Sequence, residues 1–327
     1  LDKVFIDGVY GWKVDQGEFW FGDILDTSVG QMSNERFRPY YYDAMYDYTV
    51  KKNPHGIIIT RPYSHQGGYA ASVEKMNMGW CGDFSGDWKG LKLQIQNIYQ
   101  SAKRGYGSPG CEVAGFFMKR SNKEQFVRYA QFGCMTACMI NGGENGAFSN
   151  HLPWWHGTDV ENIYRYCVVL HNEMIPYLFS TVVDAHLRGG SLIKNASFEE
   201  AYALEHFPLF VKAGAILPLN VASEITGLGD ASMAGRRTIM IYPNGNTTRL
   251  LHLPCGDGIE YEDCLVTYDE KTGKLQVSGG TFQKYTFILK NMPSVKEVKN
   301  AVSWKYNVEK QELRIDAQGD SLNIKIS

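Results

Sequence analysis

Long apolar runs and an excess of positive charge are both missing from this sequence. No apolar stretch approaches the roughly 20 residues that a helix needs to cross a bilayer, so we predict no membrane span. Lysine and arginine number 33 against 35 aspartate and glutamate residues, which gives a formal net charge of -2 at pH 7. Because nucleic-acid-binding proteins usually present a basic surface, this balance argues against nucleic acid as the main partner.

Metal-ligand spacing is also missing. The seven cysteines include no CxxC pair and no Cys/His spacing typical of zinc sites, so we expect no bound metal. Cys134 and Cys138 lie four residues apart in an apolar helical stretch and are expected to be buried thiols. Cys255 and Cys264 flank a turn-rich segment and are a candidate disulfide.

The chain opens without a methionine and without a basic segment followed by an apolar core, so it shows no signal peptide. Residues 1–7 already have the pattern of folded protein, and we expect an upstream segment. Asn195 and Asn246 begin N-glycosylation sequons. The sequence does not determine the cellular compartment, although the two sequons favour the secretory route.

What the sequence does contain is apolar and aromatic residues in quantity. With 327 residues, of which 44% are apolar and 21% charged, the chain is long enough for two or three domains with large cores. Its 20 Tyr, 16 Phe and 7 Trp residues serve either as core packing or as flat surfaces on which sugar rings stack.

Short apolar strands alternate with helical stretches over the first 190 residues. This alternation predicts a parallel sheet with crossover helices. We expect strands at 8–14, 56–60, just before 83, 110–116 and 139–143, and helices at 37–51, 91–103, 124–138 and 159–187. From residue 237 onward, short alternating strands separated by Gly, Asn and Asp turns predict an antiparallel β-sandwich.

Polar side chains recur where successive predicted strands end. In a (β/α)8 barrel the carboxyl ends of the strands form the catalytic face. The residues at these positions are Asp15, Glu18, Arg61, Asp83, Glu112 and Glu144. A single such residue would mean little, since turns also favour Asp and Asn, but five successive strands with this pattern indicate an active site.

Carboxyl groups at these ends suit the cleavage of glycosidic bonds. That reaction needs one ionised carboxylate and one carboxyl that holds a proton for the leaving oxygen. Lys13 and Arg61 are positioned to keep one carboxylate charged, whereas Trp80 and Phe84 are positioned to desolvate the other.

Seven segments, in the same order, resemble the motifs of glycoside hydrolase family 31 over nearly the whole chain. They are Gly11–Glu18 (Lys-x-Asp-x-x-Glu, the nucleophile strand), Thr60–Arg61, Trp80–Asp83 (Trp-x-Gly-Asp, the acid/base motif), Gly110–Phe116, Met174–Ser180, Phe207–Pro218 and Gly256–Asp263. The resemblance implies the later strands of a (β/α)8 TIM barrel followed by an antiparallel β-sandwich, in a retaining α-glycosidase that acts on a carbohydrate substrate without a cofactor.

By this resemblance Asp15 is the nucleophile and Asp83 the acid/base. The implied substrate-binding residues are Trp12, Lys13, Glu18, Arg61, Trp80, Glu112, Glu144 and His151. For the two tryptophans, ordinary barrel packing is an equally good interpretation.

Two departures from the family pattern leave the identity of the bound sugar undecided. The α-glucosidases of the family usually carry Arg-Asn-His after the eighth strand, whereas this chain has Gly-Gly-Glu144, with His151 as a partial substitute. Glu112 stands where the family usually has Asp. The substrate is therefore an α-glucoside, an α-galactoside or a sugar substituted at C2.

The resemblance also implies the domain organisation. Residues 1–188 correspond to the C-terminal part of the catalytic barrel, 189–220 to a remnant of a proximal β-domain, and 221–327 to a distal β-sandwich. Three barrel strands and a β-sandwich are expected from a preceding segment or a separate chain. The alternative is a non-catalytic relative that binds glycans or acts as a scaffold, and the presence of both Asp15 and Asp83 argues against it.

Overall fold

The computed structural model describes residues 2–17, 22–64, 67–117, 121–141, 151–189, 203–256 and 260–327. The chain divides into two units by its internal contacts. The first unit comprises Leu1–Cys167 and Asp184–Glu205, and the second comprises Val168–Val183 and His206–Ser327.

The first unit contains short strands and most of the helices. The helices are α1 (Asp2–Ile6), α2 (Asn34–Lys52), α3 (Trp88–Lys103), α4 (Lys123–Gly133), α5 (Thr158–Glu173) and α6 (Ile175–Arg188), the last two being divided between the units. The strands are β1 (Gly11–Lys13), β2 (Ile24–Thr27), β3 (Gly30–Ser33), β4 (Ile57–Thr60), β5 (Tyr63–Ser64), β6 (Gly68–Tyr69), β7 (Met78–Trp80), β8 (Pro109–Val113) and β9 (Cys138–Asn141).

Five of these strands form one parallel sheet in the order β1-β4-β7-β8-β9. Every pairing in it is parallel, so the carboxyl ends of all five strands lie at the same edge. The predicted parallel sheet is confirmed, and its carboxyl-end edge is where the candidate site residues were expected.

Helices α2, α3 and α4 provide crossovers between successive sheet strands, as the alternating pattern predicted. The connection from β4 to β7 is different, because it consists of the β5–β6 hairpin and a 3-10 helix at Val73–Lys75. A parallel crossover needs about a dozen residues or more, and this segment is long enough without an α-helix.

Helices α3 and α4 begin at well-formed caps, and each buries one face. Asp87 caps α3 through the backbone N–H of Gly90, and Asn122 and Gln125 form a reciprocal capping box at the start of α4. Apolar residues spaced along α3, such as Leu91 and Ile98, are buried against the sheet side.

The long helix predicted at 159–187 is two helices, α5 and α6, that meet at Met174. Pro176 lies in the first turn of α6, where its missing N–H costs no helical hydrogen bond, and proline disfavours helical backbone in the residue before it. The amide of Met174 still bonds to the carbonyl of Leu170, so the interruption is local.

The second unit contains the strands β10 (Ile216–Leu219), β11 (Arg237–Ile241), β12 (Asn246–Cys255), β13 (Glu260–Asp269), β14 (Lys274–Ser278), β15 (Lys284–Leu289), β16 (Val298–Lys299), β17 (Ser303–Asn307), β18 (Glu312–Gln318) and β19 (Leu322–Ile326). They form two five-stranded sheets, ordered β10-β11-β15-β18-β17 and β12-β13-β14-β19-β16. A single apolar core contains side chains from both sheets, for example Phe287 and Val266, so the predicted β-sandwich is confirmed.

The sandwich differs from the prediction in one pairing. Strands β11 and β15 run parallel, whereas all other pairings in the two sheets are antiparallel. The three strands that separate them in sequence belong to the opposite sheet, so the chain returns to its first sheet in the original direction.

The candidate disulfide between Cys255 and Cys264 does not form. Both cysteines are free thiols, and Cys264 lies opposite Leu251 in the β12–β13 hairpin, four residues from Cys255 along β12. The core-facing side chain of Cys264 and the half-exposed one of Cys255 are therefore too far apart to bond. Cys134 and Cys138 are buried thiols, as predicted, but they do not share a helix, because α4 ends at Gly133 and Cys138 begins β9.

Candidate active site

A buried arginine joins the two carboxylates that the sequence singled out. Arg61 directly follows β4 and is only 1% exposed. Its Nε and Nη2 atoms donate to Asp15 Oδ1 at 3.0 and 2.8 Å, and Nη2 also donates to Asp83 Oδ1 at 3.1 Å. Because one nitrogen contacts both oxygens, those oxygens lie within about 6 Å of each other.

Asp15 is held by its own backbone as well as by Arg61. The next residue, Gln16, has a φ of 70°, in the left-handed region that non-glycine residues seldom adopt. This turn lets the Gln16 amide donate to Asp15 Oδ1 at 2.7 Å, and the Tyr41 hydroxyl donates to the Asp15 carbonyl. Such strained backbone concentrates at functional sites.

Asp83 lies at the end of the turn that follows β7. Trp80, which is fully buried, directs its indole N–H at Asp83 Oδ1 with a separation of 3.4 Å. Between them, Gly82 has a φ of 110°, and a Cβ on it would lie 3.3 Å from Arg61 Nη1. Glycine therefore allows the turn to pass close to the guanidinium.

The Trp80 ring lies beneath two cations. Lys13 Nζ is 4.1 Å from the ring centroid, and the Arg61 guanidinium carbon is 4.6 Å from it. Cation–π attraction at a partly desolvated ring contributes roughly 1–2 kcal/mol each, so the ring helps to fix both side chains.

Glu112 lies on the interior strand β8, between β7 and β9, and is 3% exposed. Its Oε1 atom is 3.5 Å from Lys13 Nζ, while Oε2 is buried without a hydrogen-bond partner in the described part of the chain. Burial raises the pKa of Glu112 to about 7, although the nearby Lys13 cation opposes the rise. The site thus contains a third carboxyl whose charge changes near neutral pH.

Two amide side chains of α3 hold the strand ends that carry these residues, and the sequence reading missed them. Gln94 Nε2 donates to the Glu112 carbonyl at 3.0 Å, and Asn97 Nδ2 donates to the Cys81 carbonyl at 2.8 Å. Both are buried on the apolar face of α3, where polar residues are unusual. Their position on that face was the available signal.

The remaining predicted residues lie elsewhere or outside the described residues. Trp12 and Val14 pack against the core below α2, and the Trp12 indole N–H donates to Thr49 Oγ1, so Trp12 is on the face of β1 away from Asp15. His151 is buried, and its carbonyl accepts a hydrogen bond from the Asn141 amide. Glu18 and Glu144 lie outside the described residues.

In the described ranges, no group of three or more His, Cys, Asp or Glu side chains is arranged to hold a metal ion. Nor, within those ranges, does a helix combine the length and apolar character needed to span a bilayer. The site residues described above present carboxyl, guanidinium, ammonium and indole groups.

A family model matches more than half of the chain. Residues 1–181 match the model of the glycosyl hydrolases family 31 TIM-barrel domain. Alpha-glucosidase 2 of Bacillus thermoamyloliquefaciens is 25% identical over 129 residues, which are 39% of this chain and 16% of that protein. Neutral alpha-glucosidase C of Mus musculus is 23% identical over 178 residues, or 54% of this chain and 20% of that protein.

A solved structure with the same fold is a Flavobacterium johnsoniae GH31 dextranase complexed with glucose. It superposes with a TM-score of 0.78 and 17% identity over 100% of this chain and 54% of its own. The chain therefore spans about half of that structure and a smaller part of the curated relatives. The predicted fold class, barrel strands followed by a β-sandwich, is confirmed, and the chain belongs to glycosyl hydrolase family 31.

Proposed function

We propose that this chain supplies both catalytic carboxyl groups of a retaining α-glycoside hydrolase. The observation that carries the proposal is the shared Arg61 Nη2 atom, 2.8 Å from Asp15 Oδ1 and 3.1 Å from Asp83 Oδ1. A separation of at most about 6 Å between these oxygens suits a double displacement, whose carboxyl groups lie about 5–5.5 Å apart, better than the wider inverting arrangement.

The two carboxyl groups take different roles in this proposal. Asp15 accepts two hydrogen bonds from Arg61 and one from the Gln16 amide, all at Oδ1, and these bonds hold the carboxylate in place as the nucleophile. Asp83 accepts a single bond from Arg61 and one from the buried Trp80 indole, and it donates the proton to the leaving oxygen.

The reaction then proceeds in two steps. Asp15 attacks the anomeric carbon while Asp83 protonates the departing glycosidic oxygen, giving a covalent glycosyl-enzyme and a free alcohol. Asp83, now a carboxylate, removes a proton from water, which attacks the same carbon and releases the sugar with its α configuration. Lys13, Arg61, Trp80 and Glu112 line the site, and the roles of Glu18, Glu144 and His151 stay predictions.

The substrate is a terminal α-linked sugar, with α-glucosides, α-galactosides and C2-substituted sugars as the candidates. The relatives named alpha-glucosidase favour the first of these. Glu112 in place of the usual Asp keeps the other two open. A panel of aryl α-glycosides that includes gluco, galacto, xylo, N-acetyl and sulfonated sugars, assayed with the full-length protein, identifies the sugar. The predicted domain limits at 188 and 220 and the preceding half-barrel remain part of this proposal.

Azide rescue separates the two carboxyl roles. Asp15→Ala removes the nucleophile, so we expect no turnover and no α-glycosyl azide. Asp83→Ala keeps glycosylation of an activated aryl glycoside, and added azide then attacks the intermediate and yields the α-glycosyl azide. Asp320→Ala, at an exposed position, serves as the control and retains full activity. Azide rescue of Asp15→Ala to the α product, with Asp83→Ala inactive on activated substrates, would reverse the roles.

The alternative function is a non-catalytic relative that binds glycans. It predicts that the unaltered protein binds the glycosides of the panel and hydrolyses none of them. Neither Asp15→Ala nor Asp83→Ala would then change the rate of hydrolysis.

A further inference from the structure

The outer face of the β12-β13-β14-β19-β16 sheet carries a polar depression with a volume of about 560 Å³. Lys274, Gln276, Asn323 and Lys325 line it, and they alternate along β14 and β19 with residues whose side chains fill the sandwich core. A volume of this size lies within the range of about 300–1,000 Å³ that is usual for small-molecule sites.

Positive charge is concentrated along one row of this face. Lys274 lies directly opposite Lys325, and Lys325 lies directly opposite Lys299. Like charges placed opposite each other in an antiparallel sheet destabilise it, so such a row needs a compensating anion. Lys299 has one, because its Nζ atom lies 3.3 Å from Glu297 Oε2.

The other two lysines are less completely compensated. Lys325 donates to the carbonyl of Thr272, which is neutral, and within the described residues neither Lys274 nor Lys325 forms a salt bridge. Asp269 faces Lys274 across the strands, but its Oδ1 atom accepts the backbone N–H groups of Lys271 and Thr272 in the hairpin turn. Two ammonium groups and one carboxylate thus line the depression, which leaves it with a net positive charge.

Neutral hydrogen-bonding groups form the adjacent row. Thr267 lies opposite Gln276, and Gln276 lies opposite Asn323. Amide side chains present a donor and an acceptor together, which suits neighbouring hydroxyl groups on a sugar ring. The depression therefore offers cations on one side and hydroxyl-binding groups on the other.

We propose that this depression binds an acidic saccharide. The carboxylate of a uronic acid residue lies between Lys274 and Lys325, and its ring hydroxyls bond to Gln276 and Asn323. The site belongs wholly to the second unit, and its binding does not depend on the glycosidase activity proposed above.

Isothermal titration of the full-length protein with three probes tests the proposal. The protein is produced in a bacterial host so that Asn246, which borders the depression and begins a sequon, carries no glycan. The probes are trigalacturonic acid, the neutral maltotriose and inorganic sulfate, at low ionic strength because salt screens exposed charges. We expect trigalacturonic acid to bind at least tenfold more tightly than either of the others.

Matched variants assign that binding to the depression. Lys274→Gln with Lys325→Gln should weaken trigalacturonic acid binding at least tenfold. The control, Lys284→Gln with Lys305→Gln, makes the same charge change at exposed positions of the other sheet and should alter the affinity less than twofold. Gln276→Ala with Asn323→Ala should weaken trigalacturonic acid several-fold and leave sulfate unchanged.

Four results would overturn the proposal. The first two are no binding of trigalacturonic acid, and an affinity for maltotriose equal to that for trigalacturonic acid. The third is an equal affinity for sulfate, which indicates an adventitious ion only. The fourth is an equal loss of affinity in the control variant, which indicates unspecific electrostatic attraction.

Discussion

Lys13 Nζ lies 3.5 Å from Glu112 Oε1, so a side chain that is 36% exposed is paired with one that is 3% exposed. The pair connects solvent to the buried carboxyl beside the proposed catalytic residues. Its contribution to stability is modest because water screens the lysine, but its effect on the charge of Glu112 can be measured.

The raised pKa of Glu112 predicts a pH-dependent loss of stability. Folding raises the pKa from an ordinary 4.5 to about 7, so between these values the folded protein holds a proton that the unfolded chain has released. The free energy of unfolding should therefore fall as pH rises from about 4.5 to 7, by on the order of 3 kcal/mol from this residue. Glu112→Gln removes this fall.

Urea unfolding of both proteins between pH 4 and 8 gives the measurement, read as the difference between them. Glu309→Gln, at an exposed position, is the control and should keep the fall. Parallel stability curves for the unaltered protein and Glu112→Gln would contradict the prediction.

Removing the charge of Lys13 should raise the pKa of Glu112 further. Lys13→Met keeps an unbranched side chain near Trp80 and deletes the cation that opposes the effect of burial. Carbon-13 NMR of the labelled carboxyl should show a pKa above the value of about 7 expected with the lysine present. Lys3→Met, at an exposed position of α1, is the control, and an unchanged or lower pKa in Lys13→Met would rule out the pairing.

Lysine cannot replace Arg61. A single ammonium group lacks the planar fork with which Nε and Nη2 bind Asp15 while Nη2 also reaches Asp83. We expect Arg61→Lys in the full-length protein to lower kcat/KM on the order of 10²-fold or more, similar to the loss of one preorganised donor. Arg36→Lys on the exposed side of α2 should change kcat/KM less than twofold, and an equally small effect of Arg61→Lys would count against the bridge.

Substitutions at Gly82 and Gly227 distinguish the effect of a strained backbone conformation from the effect of a steric contact with Arg61. Both have positive φ, 110° and 71°, but a Cβ on Gly82 would lie 3.3 Å from Arg61 Nη1, whereas one on Gly227 would meet nothing within 4 Å. Gly227→Ala should cost about 1–2 kcal/mol of stability and leave activity unchanged. Gly82→Ala should cost more and should also lower kcat/KM at least tenfold, as measured by calorimetry and steady-state kinetics. Equal effects of the two substitutions on activity would refute the close contact.

Much of the fold could be predicted because its signals are local. The β-branched run at Ile57–Thr60 and the apolar spacing along α3 depend only on neighbouring residues, and the structure confirms a strand and a helix there. The ends of strands, where Asp15, Arg61 and Asp83 lie, followed from the same signals.

Contacts between segments that are distant in the sequence could not be predicted from it. The parallel pairing of β11 with β15 depends on which sheet the intervening strands join, and no residue in either strand encodes that choice. Trp12 faces α2 rather than the site, and this depends on the register of the three-residue strand β1. A shift of one residue in that strand would move every side chain to the opposite face of the sheet.

The position of β19 has a consequence for biosynthesis. This strand, Leu322–Ile326, lies in the interior of its sheet between β14 and β16, although both are made earlier. Until residue 326 has emerged from the ribosome, that sheet has a gap between β14 and β16, and the facing edges of these two strands are unpaired. The sandwich thus completes its fold only after residue 326 has emerged, and a chain that stops within residues 322–326 lacks an interior strand of this sheet.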